Sequence, residues 1–333
     1  MQEFLNSQNF TIYFLILIAL KFSIETYLKI RNLASIKENS SEIPDRFKNV
    51  VTKEEYTKSI NYNSDRLKFS IVTSLFSVGV LLMFTLGGLL NSLTEIVIGV
   101  TSSNVIGAVL LGLLLIIISE IIELPIAIYS TFVIEERHGF NKTTRKTFVT
   151  DIFKSLLVSG VLTSVLYATV IYILDNLGDL WWLYAFAAVF ALQAIIFFLY
   201  PVLIMPLFNK FEPLDNEEFK KPIEKLLEKV KFQSKGLFVM DASLRSTHGN
   251  AFFTGFGKNK RIVFFDTLLK TINPDEMEAI LGHELGHYKL GHVRKMLISS
   301  LVFGFAGFYL LSEILKSDNF FISHGLENLT VYS

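Results

Sequence analysis

A short stretch of the chain, AILGHELGHYKLGH at 279–292, concentrates the side chains best suited to chemistry. A helix repeats every 3.6 residues, so His283 and His287 share one face of a helix formed there. Two imidazoles on one face are suitable ligands for a single Zn²⁺ ion. Glu284 lies one step round the helix, where it reaches a water at the metal without being a ligand. The spacing therefore predicts a zinc site with a carboxylate base.

The predicted chemistry is hydrolysis of a peptide bond. Zinc lowers the pKa of a bound water towards about 7, which makes it a nucleophile at neutral pH. Glu284 would accept a proton from this water as it attacks the carbonyl, and would then pass the proton to the leaving amine. A surface helix with histidines placed by chance is the alternative, and the helical setting of the motif favours the zinc peptidase.

Composition favours a membrane protein. Hydrophobic residues make up 51% of the 333 positions, and the mean hydropathy is +0.46, which is high for a soluble domain. A net charge of zero argues against a nucleic-acid partner. The chain has no cysteine, which excludes disulfides, thiolate ligands and a cysteine nucleophile. Any metal must therefore be held by histidine and carboxylate.

Six stretches are long enough to span a bilayer, which takes about 20 apolar residues. They cover 9–30, 68–92, 104–134, 152–174, 181–208 and 296–315. Lys21 and Glu25 interrupt the first stretch, but at four positions apart they can pair on one helix face. Glu120 and Glu123 lie inside the third, where they are predicted either to line a cavity or to bond to neighbouring helices.

The connections between these stretches alternate in charge. Lysine and arginine are frequent in 29–68, 135–154 and 209–295. They are absent from 93–103, 175–179 and the tail after Lys316. Because basic loops stay in the cytoplasm, this alternation predicts that the N-terminus is outside and that 209–295 is cytoplasmic.

Three domains follow from this pattern. Residues 1–208 form a transmembrane region of about five spans, 209–295 a cytoplasmic zinc-peptidase domain, and 296–333 a sixth span with an external tail. The first segment lacks the basic start and cleavage site of a signal peptide and is expected to be retained as an anchor.

Within 209–295, local patterns predict the elements that position the histidines. Apolar residues at helical spacing predict a helix over 216–230, and 236–241 is typical of a strand. Two strands around a Gly-Lys-Asn turn are predicted within 250–266. Asn273 and Glu276 form the pattern of a capping box, which begins the helix of the histidines.

A zinc ion held by two histidines needs a third protein ligand, commonly a carboxylate. Glu313, Glu327 and His324 follow in the sequence. The predicted topology puts Glu313 and Glu327 on the far side of the membrane from the site. His292 lies five positions after the second histidine, off the shared face, and we interpret it as a polar residue near the membrane surface rather than a ligand.

The motifs of the whole chain resemble those of the CAAX prenyl protease family of multi-pass zinc metalloendopeptidases. The matching stretches are EERHGFNKTT (135–144), YPVLIMPLFNKFEPL (200–214), RSTHGNAFFTGFGKNKRIVFFDTLL (245–269) and ILGHELGHYKLGH (280–292). The resemblance implies helices that enclose a large water-filled chamber, with the zinc site facing into it. It also implies cleavage after the isoprenylated cysteine of C-a-a-X tails, and for some members trimming of an N-terminal segment of a substrate.

The resemblance assigns the zinc ligands to His283 and His287 and the base to Glu284. The third ligand of the family is a glutamate in an E-x-x-x-D motif beyond a seventh span. We expect this glutamate after Ser333, which makes the present chain a fragment that binds zinc weakly and is itself inactive.

The resemblance also implies how substrate is held. The HGNAFF segment (248–253) resembles the edge strand beside which substrate lies extended in the family. Asn250 and Ala251 are the positions carried over as substrate contacts. Main-chain hydrogen bonds along such a strand can hold peptides whose side chains vary.

We therefore expect a mainly α fold, in which a multi-pass transmembrane helical bundle encloses a chamber and carries a cytoplasmic α+β zinc-peptidase domain with a small β-hairpin sheet. The expected partners are Zn²⁺, a peptide or prenylated protein substrate and the lipid bilayer. The residue usage suggests a bacterial inner membrane. Two alternatives are a heat-shock type membrane quality-control metallopeptidase, which has fewer spans, and a non-enzymatic membrane scaffold or transporter, which would not need Glu284.

Overall fold

The computed structural model describes residues 7–255, 260–324 and 326. The helices in these ranges are α1 (Ser7–Glu38), α2 (Lys53–Phe84), α3 (Leu89–Val100), α4 (Asn104–Tyr129), α5 (Arg145–Asn176), α6 (Trp181–Leu199), α7 (Met205–Phe208), α8 (Glu217–Lys229), α9 (Asp266–Leu269), α10 (Pro274–Lys289), α11 (His292–Ile314) and α12 (Asp318–Ser323). The strands are β1 (Phe211–Pro213), β2 (Leu237–Met240), β3 (Ala251–Thr254) and β4 (Arg261–Phe265). Turns of π-helix extend α4 over Ser130–Glu135 and join α6 to α7 over Tyr200–Ile204.

Long apolar helices dominate the chain. In the described ranges, six helical segments are long and apolar enough to cross a membrane: Gln8–Glu38, Lys53–Phe84, Asn104–Glu135, Arg145–Asn176, Gly178–Phe208 and His292–Ile314. A helix satisfies its own backbone hydrogen bonds, which is what a bilayer requires. Their apolar side chains are largely exposed rather than packed inside the protein. The chain is a multi-pass integral membrane protein, as predicted.

The second span differs from its prediction of 68–92. Helix α2 ends at Phe84, and α3 is a separate, shorter apolar helix. Gly88 separates them with a φ of 75°, a left-handed conformation that favours glycine. The first span shows the predicted ion pair, with Lys21 Nζ 3.9 Å from Glu25 Oε1.

The chain divides into two compact units, one formed by Met1–His138 with Leu311–Ser333 and the other by Gly139–Leu310. In the first unit, α1 packs against α2 and α12, and α3 packs against α4. The second unit contains the α5–α6 pair and the sheet. The three domains predicted from the sequence differ from these units in their boundaries and stay a prediction.

The four strands form one mixed sheet in the order β1-β2-β4-β3. Strand β4 pairs antiparallel with β3 and parallel with β2, while β1 pairs antiparallel with β2. The two strands predicted within 250–266 are present as β3 and β4, and the predicted turn between them falls at 256–259, outside the described residues. Strand β1 and the parallel pairing were not predicted.

Alternate side chains of β4 enter two different cores. Ile262 and Phe264 are 1% and 0% exposed and pack with α8 and α10, whereas Val263 packs with Met240 and Met205 around the other face. This is the period of two that a strand imposes. Burial of each large side chain contributes about 1.5–3 kcal/mol, so the sheet fixes α10 firmly.

Candidate active site

Helix α10 is oriented by its buried face. Met277 and Leu281 are 0% exposed and Leu285 is 5% exposed, and all three belong to the core shared with α8 and the sheet. Residues four apart lie on one face, so this row leaves the other side of the helix for polar groups. His283 and His287 are exposed there. Packing of the apolar row therefore turns both imidazoles away from the core.

The start of α10 is the predicted capping box. The Asn273 side chain accepts a hydrogen bond from the Glu276 backbone N–H at 2.9 Å, and the Glu276 carboxylate accepts one from the Asn273 N–H at 2.9 Å. Pro274 occupies the first helical position, where a missing N–H costs nothing. These contacts fix where the helix begins, and with it the angular position of each later side chain.

The two predicted ligands converge. The Nε2 atoms of His283 and His287 are 3.1 Å apart, and the ring centroids are 4.7 Å apart. Glu284 is half-buried, between the exposed His283 and the buried Leu285. The predicted site residues on α10 are thus brought together by local helical geometry.

An aromatic cage holds the end of α10. Lys260 is 8% exposed, and its ammonium lies 4.1 Å from the Phe232 ring centroid and 4.0 Å from that of Tyr288. The same Nζ donates to the Tyr288 hydroxyl at 2.8 Å. A cation desolvated between two rings is attracted by both, at about 1–2 kcal/mol each. This cage, which was not predicted, fixes the residue next to His287.

The sequence spacing places His292 off the face shared by His283 and His287, but in the structure its ring contacts that of His287. Helix α10 ends before Gly291, whose φ is 65°, and α11 begins at His292. The prediction assumed one continuous helix, and the break removes that assumption. His292 Nδ1 lies 2.7 Å from His287 Nδ1.

The structure also locates the residues considered as a third ligand. Glu313 is paired with Lys316 at 2.6 Å, and the His324 ring lies 2.7 Å from the Phe320 carbonyl oxygen. Glu327 lies outside the described residues. Within the part of the chain that the structure describes, no cluster of three His, Cys, Asp or Glu side chains is arranged to hold a metal ion.

The predicted substrate strand is β3, which forms one edge of the sheet. Phe265 N–H donates to the Asn250 carbonyl at 2.9 Å, so Asn250 bonds to β4 through its backbone. Bonding alternates along an antiparallel strand, and Ala251 therefore directs its N–H away from β4. That N–H donates to the Asn250 side-chain oxygen at 2.8 Å. Helix α10 contacts β3 directly, which brings the edge and the histidine helix into one region.

A second segment holds the chain that leads into β3. Residues 140–143, Asp151 and Asn209 contact residues 245–248. We call this set of contacts the anchor. Lys142 N–H donates to the Arg245 carbonyl at 3.0 Å, and Thr247 N–H donates to the Phe140 carbonyl at 3.1 Å. The Phe140 and His248 rings stack with centroids 4.3 Å apart.

The strongest contact of the anchor is a two-pronged ion pair. Arg245 Nε and Nη2 donate to the two carboxylate oxygens of Asp151 at 2.7 and 2.9 Å, and Nη1 donates to the Asn209 side chain at 3.1 Å. The hydrogen bonds to Asp151 raise the pKa of the Arg245 guanidinium further above its already high value. Arg245 and Asn209 lie in motifs that carry the family resemblance, but nothing in their spacing predicts the partner on α5.

Asp266 ties the same segment to the end of β4. Its carboxylate accepts hydrogen bonds from the Ser243 N–H at 2.9 Å, from the Ser243 hydroxyl, and from Lys270 Nζ at 3.3 Å. Burial alone raises the pKa of Asp266, but the bonds from Ser243 and Lys270 together outweigh it and hold the pKa below its usual range. The segment before β3 is therefore fixed from both sides.

A membrane protein of long helices, with an H-E-x-x-H helix beside an open sheet edge, is by its fold and site a membrane metallopeptidase. Comparison with family models agrees. The model described as CAAX prenyl protease N-terminal, five membrane helices, matches residues 32–210, and the model of Peptidase family M48 matches residues 213–332. The chain belongs to the CAAX prenyl protease family of M48 peptidases.

Individual relatives support the same assignment. The chain is 37% identical to CAAX prenyl protease 1 homolog of Arabidopsis thaliana, over 92% of this chain and 74% of that protein. It is 34% identical to CAAX prenyl protease 1 of Saccharomyces cerevisiae, over 92% of this chain and 69% of that protein. The crystal structure of S. mikatae Ste24p superposes with a TM-score of 0.88 at 32% identity, over 96% of this chain and 76% of that one. The chain is therefore a membrane metalloprotease of the CAAX protease type rather than the heat-shock type or scaffold alternative.

Proposed function

We propose that the protease to which this chain belongs hydrolyses peptide bonds of prenylated protein tails, at a zinc ion held by His283, His287 and the expected third ligand, with Glu284 as the general base. The observation that carries the proposal is the convergence of the two Nε2 atoms at 3.1 Å. Two nitrogens that bind one tetrahedral zinc at about 2.0–2.1 Å lie about 3.3 Å apart, so the pair fits the ion with little movement. Neutral imidazole nitrogens are also common ligands of zinc.

The third zinc ligand stays a prediction, and the expected residue is the glutamate of an E-x-x-x-D motif. The aligned relatives extend beyond the region shared with this chain, which covers 74% and 69% of the two described above. A chamber that encloses the site likewise stays a prediction from the family resemblance.

The proposed reaction combines a bound zinc ion with the carboxylate of Glu284 and the paired imidazoles. When bound, zinc polarises the substrate carbonyl and acidifies water. Glu284 accepts a proton from the attacking water as its oxygen bonds to the carbonyl carbon. The carbon–nitrogen bond then breaks, and Glu284 returns the proton to the leaving nitrogen. His283 and His287 hold their positions through the apolar row of α10.

The substrate would lie extended along the open edge of β3. Ala251 presents its N–H on that side, where the Asn250 side-chain oxygen now accepts it at 2.8 Å. A peptide carbonyl that adds to the edge would take the place of this oxygen and leave the Asn250 amide free to contact the substrate. Strand addition gives affinity through the main chain and little sequence preference.

Catalysis is tested in a version of the protein that carries the third ligand, with Glu284→Gln, which keeps the shape of the side chain but removes the base. We expect hydrolysis of a farnesylated C-a-a-X peptide to fall by about 10²- to 10⁴-fold while the zinc content is unchanged. Glu278→Gln, an exposed position on the same helix, is the matched control and should keep wild-type turnover. Full activity of Glu284→Gln would contradict the proposal.

Substrate class is tested with the same peptide lacking the farnesyl group. We expect the prenylated peptide to be cleaved with the higher kcat/KM, because the relatives named above are CAAX prenyl proteases. Equal kcat/KM values for both peptides would be consistent with the proposed peptidase activity but would reject prenylated tails as the preferred substrate.

Orientation is also proposed, with the N-terminus outside and 209–295 as the cytoplasmic catalytic domain. The alternation of basic and non-basic connections supports it. Because the chain has no cysteine, single cysteines give a clean test with an impermeant maleimide. Asp179→Cys should react in intact cells and Glu224→Cys only after permeabilisation. The reverse pattern would invert the topology. The bacterial inner membrane stays a prediction, and the relatives named above are from a plant and a yeast.

A further inference from the structure

His292 is brought to the metal-ligand pair by a break in the chain. On a continuous helix a residue five positions on is rotated by about 140° and cannot meet its predecessor. Here Gly291 adopts a φ of 65° between α10 and α11. The rings of His287 and His292 consequently lie 4.8 Å apart by their centroids, with an interplanar angle of 67°.

The contact uses a particular nitrogen of His287. Nε2 of His287 faces His283 at 3.1 Å, whereas Nδ1 of His287 faces Nδ1 of His292 at 2.7 Å. The two nitrogens of one imidazole thus have different partners. His292 approaches the nitrogen that points away from His283, so it is not placed as another ligand of an ion bound between the Nε2 atoms.

The proton count of imidazole then fixes the roles. A neutral imidazole carries one N–H, and the nitrogen that binds a metal must be the other one. If Nε2 of His287 binds zinc, its Nδ1 carries the proton and donates it. Nδ1 of His292 must then be the acceptor, with the proton of that ring on Nε2.

We propose that His292 is a positioning residue, which holds His287 in the tautomer and ring orientation that present Nε2 to the metal. This inference rests on the proposed function, in which His283 and His287 bind zinc. Outer hydrogen bonds of this kind orient metal-binding histidines and raise their basicity. An imidazole is an unusual outer acceptor, since carboxylates and backbone carbonyls are the common ones.

The test is zinc affinity of the purified protein in detergent, measured by competition with a chromophoric chelator. His292→Ala removes the acceptor and should weaken zinc binding by about 10- to 100-fold. His292→Asn should restore most of it, because the amide oxygen is attached at the same distance from Cα as Nδ1 of histidine. Arg294→Ala, an exposed position on the first turn of α11, is the control and should bind as the wild type does.

A spectroscopic measurement separates this role from general loss of structure. Substitution with Co²⁺ gives visible absorption bands that report the geometry and strength of the ligands. These bands should shift in His292→Ala and return towards the wild type in His292→Asn. Unchanged affinity and bands in His292→Ala would overturn the inference, and so would an asparagine variant no better than alanine.

The backbone break gives an independent test. Gly291→Ala penalises the left-handed conformation, whereas asparagine tolerates it better than other side chains. We expect Gly291→Ala to weaken zinc binding several-fold and Gly291→Asn to stay within about two-fold of the wild type. Equal affinities for Gly291→Ala and the wild type would show that the break does not place His292.

The two proposals fail in different ways. A wild-type protein that binds no zinc would remove the proposed function, and this inference with it. Suppose instead that the wild type binds zinc, Glu284→Gln is inactive and His292→Ala binds zinc with full affinity. The proposed function would then stand, and only the role proposed for His292 would be rejected.

Discussion

Helix α10 and the anchor of β3 supply the site in different ways. On α10 the proposed zinc ligands are side chains four positions apart, placed by one local element. At β3 the proposed substrate contact is the backbone, and its position depends on bonds between residues far apart in the chain, such as Thr143 to Arg245 over 102 positions. The proposed catalytic groups are therefore placed by local structure, and the proposed substrate contact by non-local bonds.

This difference predicts two kinds of variant. Changes to His283, Glu284 or His287 should reduce kcat and leave the fold intact, since none of the three side chains is buried in the core. Changes to the anchor should loosen the edge strand, raise KM and lower stability, because they remove bonds that hold the backbone.

The largest effect is expected from the paired imidazoles. His283→Ala or His287→Ala leaves one ligand of the pair, and we expect zinc to be lost and peptide hydrolysis to fall below detection. Metal content by atomic absorption and the far-ultraviolet dichroism spectrum are the measurements. Lys289→Ala, exposed on the last turn of α10, should retain both zinc and activity. Retention of one zinc per chain in both histidine variants would place the metal elsewhere.

The ion pair of the anchor is next. Arg245→Ala should cost about 1.5–3 kcal/mol, typical of hydrogen bonds between charged groups, and should raise KM more than it lowers kcat. Arg245→Lys keeps the charge but loses the two-pronged geometry, so it should recover only part of the effect. A double-mutant cycle with Asp151→Ala, read by thermal unfolding in detergent, isolates the pair. Additive effects in that cycle would mean that the two side chains do not stabilise the segment together.

The sequence predicted the local features of the molecule better than the non-local ones. The H-E-x-x-H face, the capping box and the helix over 216–230 depend on neighbours in the chain, and α8 and the start of α10 appear as predicted. The length and low charge of the apolar stretches likewise predicted the membrane helices. Each of these signals lies within one continuous stretch of residues, which a single sequence displays.

Non-local features were missed for a physical reason. The partner of Arg245 lies 94 positions away on α5, and no periodicity connects the two. Strand β1 has three residues and its pairing with β2 depends on tertiary contacts. His292 was misplaced because the left-handed turn at Gly291 was not anticipated, although glycine after a helix end is a common signal for such a turn.

A smaller effect is expected at the start of α10. Asn273→Ala removes the side-chain acceptor of the capping box and should cost about 1 kcal/mol of stability, with little change in KM. Asn273→Asp retains an acceptor and should be close to the wild type. Thermal unfolding in detergent measures both. A rise in KM comparable to that of Arg245→Ala would contradict the separation between the helix and the anchor.

The smallest effect is a pH dependence at Asp266, which bonds to Ser243 ahead of β3. The bonds from Ser243 and Lys270 hold the pKa of Asp266 below its unfolded value of about 3.9, so the carboxylate stabilises the fold fully only above that value. As the pH falls through the lowered pKa, Asp266 takes up a proton and this stability is lost. The difference in Tm between the wild type and Asp266→Asn should therefore be constant from about pH 6 to 5 and shrink below about pH 4. A difference that grew on acidification would mean that the folded state favours the protonated carboxyl, and the segment before β3 would then be held by its other bonds.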